Sequence, residues 1–436
     1  MKDIREAIGI RDLSFELVTV KDLVDRQVLH RPIDGNHGEI HPKSEDFVTE
    51  GVPFVMASDL KNGQVDYANC AKISERQAES LRKGFARNGD VLLTHKATIG
   101  ATAIVDYDKH PYIMLTPQVT YYRVRDSAAL SNRYLKHYFD SSLFQQTLHM
   151  LASSGSTRAY LGITEQQRLP VILPPLEKQH RIAAILSAYD DLIANNQRRI
   201  ALLEGMAEEI YREWFVRMRF PGYAQASWHK GRPTAWSESK LGAIASFTMG
   251  QSPSSEFYND RGEGLPFHQG VGTYGPRFPR PEVFCSEPGR QALAGDILFS
   301  VRAPVGRLNI ADTELILGRG LAAMRHKGGR TTFLYYLLRV AFAKEDVIGN
   351  GSIFNSVGKD ELAGFPILMP TPDLVERFEA VVCPLDSQLN ALYRSCEKLK
   401  QMRDSLLPSL ISGKLKVDHL DIRLPPSMRA EAEAVA

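Results

Sequence analysis

The sequence predicts an α+β protein: two tandem α+β domains joined by two long antiparallel helices in a coiled coil, giving a pseudo-two-fold dumbbell. Three observations predict this fold. Residues 89–100 and 295–306 contain nearly the same Gly-Asp-hydrophobic motif. Residues 169–174 match residues 365–370, so one module occurs twice along the chain. Each copy is followed by a long segment with an apolar seam near the 3.5-residue period of packed helices.

The composition is that of a globular protein with more than one domain. The chain has 436 residues, of which 43% are hydrophobic and 24% are charged, and such a length suggests two to four domains. No apolar run approaches the ~20 residues of a membrane span. The N-terminus also lacks the apolar core of a signal peptide, so a cytoplasmic location is expected. The four cysteines form no C-x-x-C pair and predict neither a zinc site nor a disulfide framework.

The net charge of +2 is close to balance. An independent DNA-binding protein usually has a clear basic excess. If this chain binds nucleic acid, we therefore expect partner subunits to supply much of the phosphate neutralisation.

The first domain contains short β-like runs separated by Gly, Asn and Asp turns. Helical spacing appears over residues 74–83 and 132–150. The second domain repeats this order, and residues 332–343 correspond to residues 132–150. The predicted divisions are a first domain (1–173), a first spacer helix (174–219), a linker (220–236), a second domain (237–370), a second spacer helix (371–417) and a C-terminal tail (418–436).

Within the two spacer regions, the apolar seam predicts helices over residues 176–215 and 374–410. The first helix leads the chain away from the first domain and the second leads it back, which favours an antiparallel pair. Pro384 predicts a kink or a split in the second helix. The linker is rich in Gly and Pro, and residues 425–436 are predicted to be frayed.

Several stretches of the chain match motifs of a known family: residues 173–183 (LPPLEKQHRIA), residues 213–222 (EWFVRMRFPG), residues 231–245 and the twin Gly-Asp motifs. On these residues, the chain resembles the specificity subunits of type I restriction-modification systems. The resemblance implies two target recognition domains, each of which recognises one half of a bipartite, asymmetric site in double-stranded DNA. The spacer helices would dock two methyltransferase subunits and, through them, the restriction subunits. The opening of the second helix lacks a counterpart of Gln179, which leaves open whether both ends dock alike.

The resemblance also implies that the chain has no catalytic site and binds no cofactor. S-adenosylmethionine, Mg²⁺ and ATP are expected on the partner subunits. Two alternatives remain open: a self-contained, fused modification enzyme and a scaffold that does not recognise DNA.

The turn that follows each Gly-Asp strand is the first candidate for a DNA contact. Lys96 and Arg302 occupy matching positions there, and their side chains can donate to guanine or to phosphate. The alternative is a solvated cation on a hairpin. The loops around residues 57–63 and 270–277 differ most between the copies, as expected for two different half-sites, and two polar loops add hydroxyl and Arg donors. The candidate DNA-binding residues are Lys61, Asn62, His95, Lys96, Thr98, Arg158, Tyr160, Tyr274, Arg277, Arg302 and Asn355.

Three sequence motifs of enzymes are incomplete or missing in this chain. Residues 351–359 end in Gly-Lys, but they have six residues between the glycines and Asp360 where a P-loop needs Ser or Thr. His37 and His41 lie among Gly and Pro residues, which argues against a helix that presents both imidazoles to a metal. The Asn/Asp-Pro-Pro-Tyr/Phe signature of adenine methyltransferases does not occur in the sequence.

Overall fold

A computed structural model describes residues 10–152, 159–343, 347–348, 352–353 and 356–429. The chain forms two compact units. The first unit comprises Met1–Asn195 and Cys396–Ala436, and the second comprises Asn196–Ser395. Each unit therefore contains one α+β module together with a stretch of each long helix.

The module of the first unit is built on two four-stranded sheets, with strand orders β6-β3-β10-β7 and β2-β11-β8-β9. Strand β3 runs parallel to β10, whereas the other pairs in these sheets are antiparallel. Strands β1 and β12 pair as a separate antiparallel ribbon, and β4 and β5 form a hairpin. The strands are β1 Glu16–Thr19, β2 Ile33–Asp34, β3 Phe47–Val55, β4 Leu60–Lys61, β5 Gln64–Val65, β6 Ala71–Ile73, β7 Phe85–Ala86, β8 Val91–Lys96, β9 Thr98–Ile104, β10 Ile113–Leu115, β11 Val119–Tyr122 and β12 Pro170–Leu173.

The helices of this module are short. They comprise Val20–Asp25, Glu75–Ser80, Asn132–Asp140, Ser142–Ala152 and Ile163–Gln166. The single helix predicted over residues 132–150 is therefore wrong, because the chain breaks at Ser141. Its backbone is extended there, and its hydroxyl donates to the carbonyl of Tyr138 (2.6 Å) while accepting the N–H of Phe144 (3.3 Å). A serine that replaces backbone bonds in this way ends one helix and caps the next.

The second unit repeats this arrangement. Its sheets have the orders β17-β19-β18-β23-β20 and β16-β24-β21-β22, the parallel pair is β18 with β23, and β15 pairs with β27 as β1 does with β12. The predicted duplication is thus confirmed in strand topology. The strands are β13 Trp228–His229, β14 Arg232–Pro233, β15 Ser237–Lys240, β16 Ala245–Met249, β17 Tyr258–Asn259, β18 Leu265–His268, β19 Phe284–Cys285, β20 Gln291–Ala292, β21 Ile297–Ser300, β22 Leu308–Ile310, β23 Leu315–Leu317, β24 Leu321–His326, β25 Val347–Ile348, β26 Ser352–Ile353 and β27 Pro366–Met369, and the helices are Leu241–Ile244, Thr331–Ala341 and Lys359–Gly364.

The two long helices comprise Leu176–Tyr211 and Pro372–Ile411, and a π-helical turn over Arg212–Val216 follows the first. The second helix begins at a proline, as expected where the missing N–H removes no hydrogen bond. It continues as one helix through Pro384, so of the predicted kink or split, the split is wrong and the kink stays a prediction.

The long helices are antiparallel within each unit. In the first unit, Asp190 lies 2.6 Å from Arg403, and the carbonyl of Ile193 lies 4.0 Å from the thiol of Cys396. Residues later in the first long helix therefore contact residues earlier in the second. The second unit shows the same trend, from the contact of Asn196 with Ser395 (3.3 Å) to the ring contacts of Tyr211 and Trp214 with Phe378.

Two segments predicted to be loosely held are packed. The predicted linker contains the β13–β14 ribbon, and its ends at Phe220 and Trp236 pack with Leu374. The frayed end predicted over residues 425–436 is wrong for residues 425–429, because Met428 lies in the core of the first unit and the carbonyl of Ser427 accepts from Arg133 (2.7 Å). Residues 430–436 lie outside the described residues. No helix in the described part of the chain is long and apolar enough to cross a membrane.

One buried histidine predicts a pH dependence of stability. Burial, reinforced by the neighbouring Lys136, lowers the pKa of His137 to about 3. The folded chain therefore keeps this imidazole neutral, whereas the unfolded chain protonates it below about pH 6.5. Between these values the unfolded state binds one more proton, so the free energy of unfolding must fall as the pH falls.

Replacing this side chain tests the effect. We expect His137→Gln to reduce the loss of unfolding free energy between pH 6.5 and pH 5 by up to about 2 kcal/mol. Urea unfolding at pH 7.5, 6.5 and 5 measures the loss. His419→Gln, at an exposed position, is the control. An equal pH dependence in His137→Gln and in the parent chain would contradict the assignment.

Candidate nucleic-acid interface

The twin Gly-Asp motif holds the root of a turn in each module. Asp90 and Asp296 are buried, and each accepts the backbone N–H of the residue three positions earlier, at 2.8 Å. Each also forms an ion pair with an arginine from the neighbouring strand or just beyond it, Arg123 (2.7 Å) in the first unit and Arg325 (2.7 Å) in the second. The aspartates are therefore structural, and the arginines that face them are already paired.

The next positions of the motif close the turn. The hydroxyls of Thr94 and Ser300 accept a backbone N–H from seven residues further on, at 2.9 Å and 2.8 Å. The chain re-enters the sheet through Gly100 and Gly306, whose φ angles of +93° and +96° disfavour any residue with a side chain. Most positions of the motif thus serve the geometry of the turn, which leaves the residues at its tip to meet a ligand.

Each tip presents a cation. Lys96 and Arg302 are exposed, and among the described residues neither has a carboxylate within 4.0 Å. Their backbones pair with the returning chain at equivalent places, Lys96 with Tyr160 and Arg302 with Ser356. We call Lys96, Thr98 and Tyr160 the first tip and Arg302 the second tip.

The first tip combines charge, a hydroxyl and an aromatic face. The ammonium of Lys96 lies 5.9 Å from the centroid of the Tyr160 ring. Tyr160 is 45% exposed, and the exposed Thr98 pairs with Lys96 across the hairpin. Such a surface can donate to phosphate or to base edges.

His95 does not belong to this surface, so its prediction as a DNA contact is wrong. The ring is fully buried beneath Tyr160, and its Nδ1 lies 2.9 Å from the carbonyl of Leu161. Burial lowers the pKa of His95. Strand β8 is buried at every position except Lys96, so the alternation expected of a half-exposed strand does not apply. His95 supports the tip from below.

Arg277 is also wrongly predicted as a DNA contact. The side chain is 1% exposed and donates to Asp386 (2.9 Å) and to Asn390 (2.7 Å) on the second long helix. Its guanidinium lies 5.4 Å from the centroid of the Tyr335 ring. The nearby hydroxyl of Tyr274 is buried as well, so it cannot reach a ligand. Desolvation raises the pKa of this hydroxyl.

The equivalent loop of the first unit carries Lys61 and Asn62 at the tip of the β4–β5 hairpin. Both are exposed, and Lys61 forms an ion pair with Asp66 (2.9 Å). A Cβ atom placed on Gly63 would lie 2.9 Å from Nζ of Lys136, so the hairpin turns against the helix Asn132–Asp140. The remaining candidates, Arg158 and Asn355, lie outside the described residues.

Gln179 belongs to the packing of the first module. It is fully buried, accepts the N–H of Ser131 (2.9 Å) and donates to the carbonyls of Ala129 (3.0 Å) and Pro174 (2.8 Å). The matching position in the second helix is the buried Val375. The difference between the two helix openings is therefore a difference inside the units, not on a docking surface.

Two aspartates of the long helices that belong to no sequence motif, Asp190 and Asp386, form ion pairs with the modules, with Lys136 (3.0 Å) and Arg277 (2.9 Å). They lie 196 positions apart, the offset that also relates residues 169–174 to 365–370. That shared offset is the signal in the sequence that could have identified them.

Known proteins resemble this chain along most of its length. Residues 16–205 match the family model of the type I restriction modification DNA specificity domain. The chain is 27% identical to a Methanocaldococcus jannaschii protein provisionally named the type I restriction enzyme MjaX specificity subunit, over 84% of this chain and 88% of that protein. It is 24% identical to the type I restriction enzyme MjaIX specificity subunit of the same organism, over 85% and 88%.

Among solved structures, the S subunit of a type I restriction-modification system from M. genitalium has the same fold. The TM-score is 0.54, with 92% of this chain and 96% of that chain covered, at 16% sequence identity.

Because Arg277 is buried and Arg302 is exposed, we expect replacement of Arg277 to destabilise the fold and replacement of Arg302 to have little effect on stability. Arg277→Met would leave the carboxylate of Asp386 without its cation, and breaking such a buried pair typically costs about 3–5 kcal/mol. Arg302→Met, the matched control, should change the free energy of unfolding by less than about 0.5 kcal/mol. Urea unfolding measures both. A parent-like midpoint for Arg277→Met would show that this arginine does not hold the module.

Proposed function

We propose that this chain is a specificity subunit of a type I restriction-modification system, and that each of its modules recognises one half of a bipartite DNA sequence through its tip. The observation that supports this role of the tips is the distribution of cations. In both copies of the motif, the structural positions are satisfied within the chain, whereas the exposed cation at the tip has no carboxylate partner among the described residues.

The two tips differ in chemistry, as an asymmetric DNA site requires. The first tip offers an ammonium over an aromatic ring and a hydroxyl, whereas the second offers a guanidinium. Arginine can donate two hydrogen bonds to the O6 and N7 atoms of one guanine, while lysine acts as a single charged donor. We infer that the second module recognises a guanine in its half-site.

The same proposal assigns the chemistry to partner subunits. The chain would dock two methyltransferase subunits and, through them, the restriction subunits, which would hold S-adenosylmethionine, Mg²⁺ and ATP. The net charge of +2 supports this division, because a chain so close to neutrality leaves much of the DNA phosphate charge for partners to neutralise.

Exchange of one module tests the assignment directly. If residues 237–370 are replaced by the corresponding residues of a relative, we expect the methylated DNA sequence to change in one half only. Single-molecule mapping of methylated bases in cells that contain the partner subunits measures this. Replacement of residues 1–173 should change the other half. An unchanged site after both exchanges would contradict the proposal and would favour a scaffold that does not recognise DNA.

Substitution at the tips tests the residues. We expect Lys96→Ala and Arg302→Ala each to weaken binding of the complex to its cognate DNA by about 1–3 kcal/mol, the usual value of a good contact to a base. Titration of DNAs that are altered in one half-site at a time locates the loss. Lys96→Ala should relax the requirements in one half and Arg302→Ala in the other.

Lys230→Ala is the matched control, because this exposed lysine lies in the β13–β14 ribbon outside both modules. An equal loss of affinity for every DNA sequence, with a smaller salt dependence, would instead assign the cation to a phosphate contact. No loss in either variant would remove the tips from the interface.

A further inference from the structure

Each long helix places one largely buried aspartate against the module of its own unit. Asp190 is 24% exposed at its side chain and Asp386 is 12% exposed. Both lie on the apolar side of their helices, next to the buried residues Ile193 and Leu389. A carboxylate in such a place costs free energy unless it is paired and hydrogen-bonded.

In the first unit, the module supplies the partner from its short helix. Lys136, with a side chain only 6% exposed, donates to Asp190 (3.0 Å) and lies 2.9 Å from Asp140. Arg403 on the second long helix pairs with the same carboxylate of Asp190, at 2.6 Å. Burial alone would raise the pKa of Asp190, but the surrounding cations hold it well below its usual range. The carboxylate therefore stays charged and keeps both partners.

In the second unit, the partner comes from a different element. The side chains that the helix Thr331–Ala341 brings to this contact are aromatic, Tyr335 and Tyr336. The hydroxyl of Tyr336 donates to Asp386 at 3.1 Å. The cation is now Arg277, which reaches in from the loop that follows β18 and stacks on Tyr335. In both units a cation of the module contacts an aspartate of a long helix. The residue that supplies the cation differs, since it is Lys136 in the first unit and Arg277 in the second.

Directional contacts of this kind fix one arrangement. Apolar side chains such as those of the helix seam can pack in neighbouring arrangements at small cost. The two bonds that Arg277 donates, to Asp386 and to Asn390 one helical turn later, are satisfied at a single position of the loop on the helix. A buried charge pair is weak evidence for stability, and its best-attested use is to set register.

We propose that Asp190 and Asp386 are positioning residues that hold each module at one place on its stretch of long helix, and so set where along the DNA each tip meets its half-site. This inference rests on the proposed function. It adds residues that need not touch DNA and that determine the distance between the two half-sites rather than their bases.

The test uses the complete complex with its methyltransferase subunits. The substrates are DNAs in which the two cognate half-sites are separated by the native spacer, or by one base pair more or fewer. The measured quantity is the methylation rate on each displaced substrate divided by the rate on the native one. We expect Asp386→Asn to raise this ratio by about tenfold or more, since the buried guanidinium of Arg277 loses its anion even though the amide oxygen can still accept a hydrogen bond. The base requirements within each half-site should not change.

Milder variants keep the test valid if Asp386→Asn does not fold. Asn390→Ala and Tyr336→Phe each remove one bond of the network and should raise the same ratio to a smaller extent. Asp373→Asn is the matched control, because this exposed aspartate lies on the same helix and pairs only with Arg377 among the described residues. It should leave the ratio unchanged.

Three outcomes separate the hypotheses. A raised ratio with unchanged base requirements supports the positioning role. A variant that folds, methylates more slowly and keeps the parent ratio shows that the aspartates serve stability alone, while the proposed function stands. If the parent complex methylates without regard to either half-site, the proposed function fails and the positioning role fails with it.

Discussion

The packing of one short helix between a sheet and the long helix is the constraint on which each unit depends. In the first unit, the helix Asn132–Asp140 buries Tyr134 and Tyr138 in one core with Val91 of β8 and Leu186 of the first long helix. Each buried aromatic side chain contributes roughly 1.5–3 kcal/mol relative to exposure. The two tyrosine hydroxyls donate to carbonyls of β12 at 2.8 Å, so the apolar contact also has a direction. The hairpin that carries the first tip is part of the same sheet and inherits its position from this packing.

Local patterns were enough to predict the elements of the fold. The long helices follow from apolar periodicity, which is a property of neighbouring residues, and the duplication and the antiparallel course follow from comparison of the two copies of the module. The break at Ser141 and the unbroken passage through Pro384 were not predictable in this way. A proline inside a helix costs about 3 kcal/mol, and the cost at Pro384 is met by the burial of Val382 and Leu389 on either side. Periodicity shows the proline but does not show how much packing surrounds it.

The exposure of the candidate residues was predictable only where the environment is local. Lys96 and Arg302 lie at the ends of strands, and their exposure follows from the turn that contains them. The position of the Arg277 side chain depends on Asp386, which is 109 positions away in the sequence. The position of the His95 ring depends on Leu161, which is 66 positions away. Sequence divergence in the loop around Arg277 suggested recognition of different bases, but the structure gives Arg277 a role inside its own unit. The short helix of the first module presents the ammonium of Lys136 to the helix aspartate, whereas that of the second presents the hydroxyl of Tyr336, and the cation for Asp386 comes from the loop.

Several basic side chains of this protein are paired with carboxylates within its own fold. The Asp–Arg pairs at the hairpin roots and the pairs at the helix aspartates involve Arg123, Arg325, Arg277, Lys136 and Arg403, all of which face carboxylates within the chain. Their charges hold the modules in place and are not available to phosphate. A chain whose 53 Lys and Arg residues are nearly balanced by 51 Asp and Glu residues has little net positive charge to give general affinity for DNA. Under the proposed function, recognition by the tips would discriminate between sequences only in an assembly whose other subunits supply that affinity, so sequence preference measured on the isolated chain should be weak compared with that of the complex.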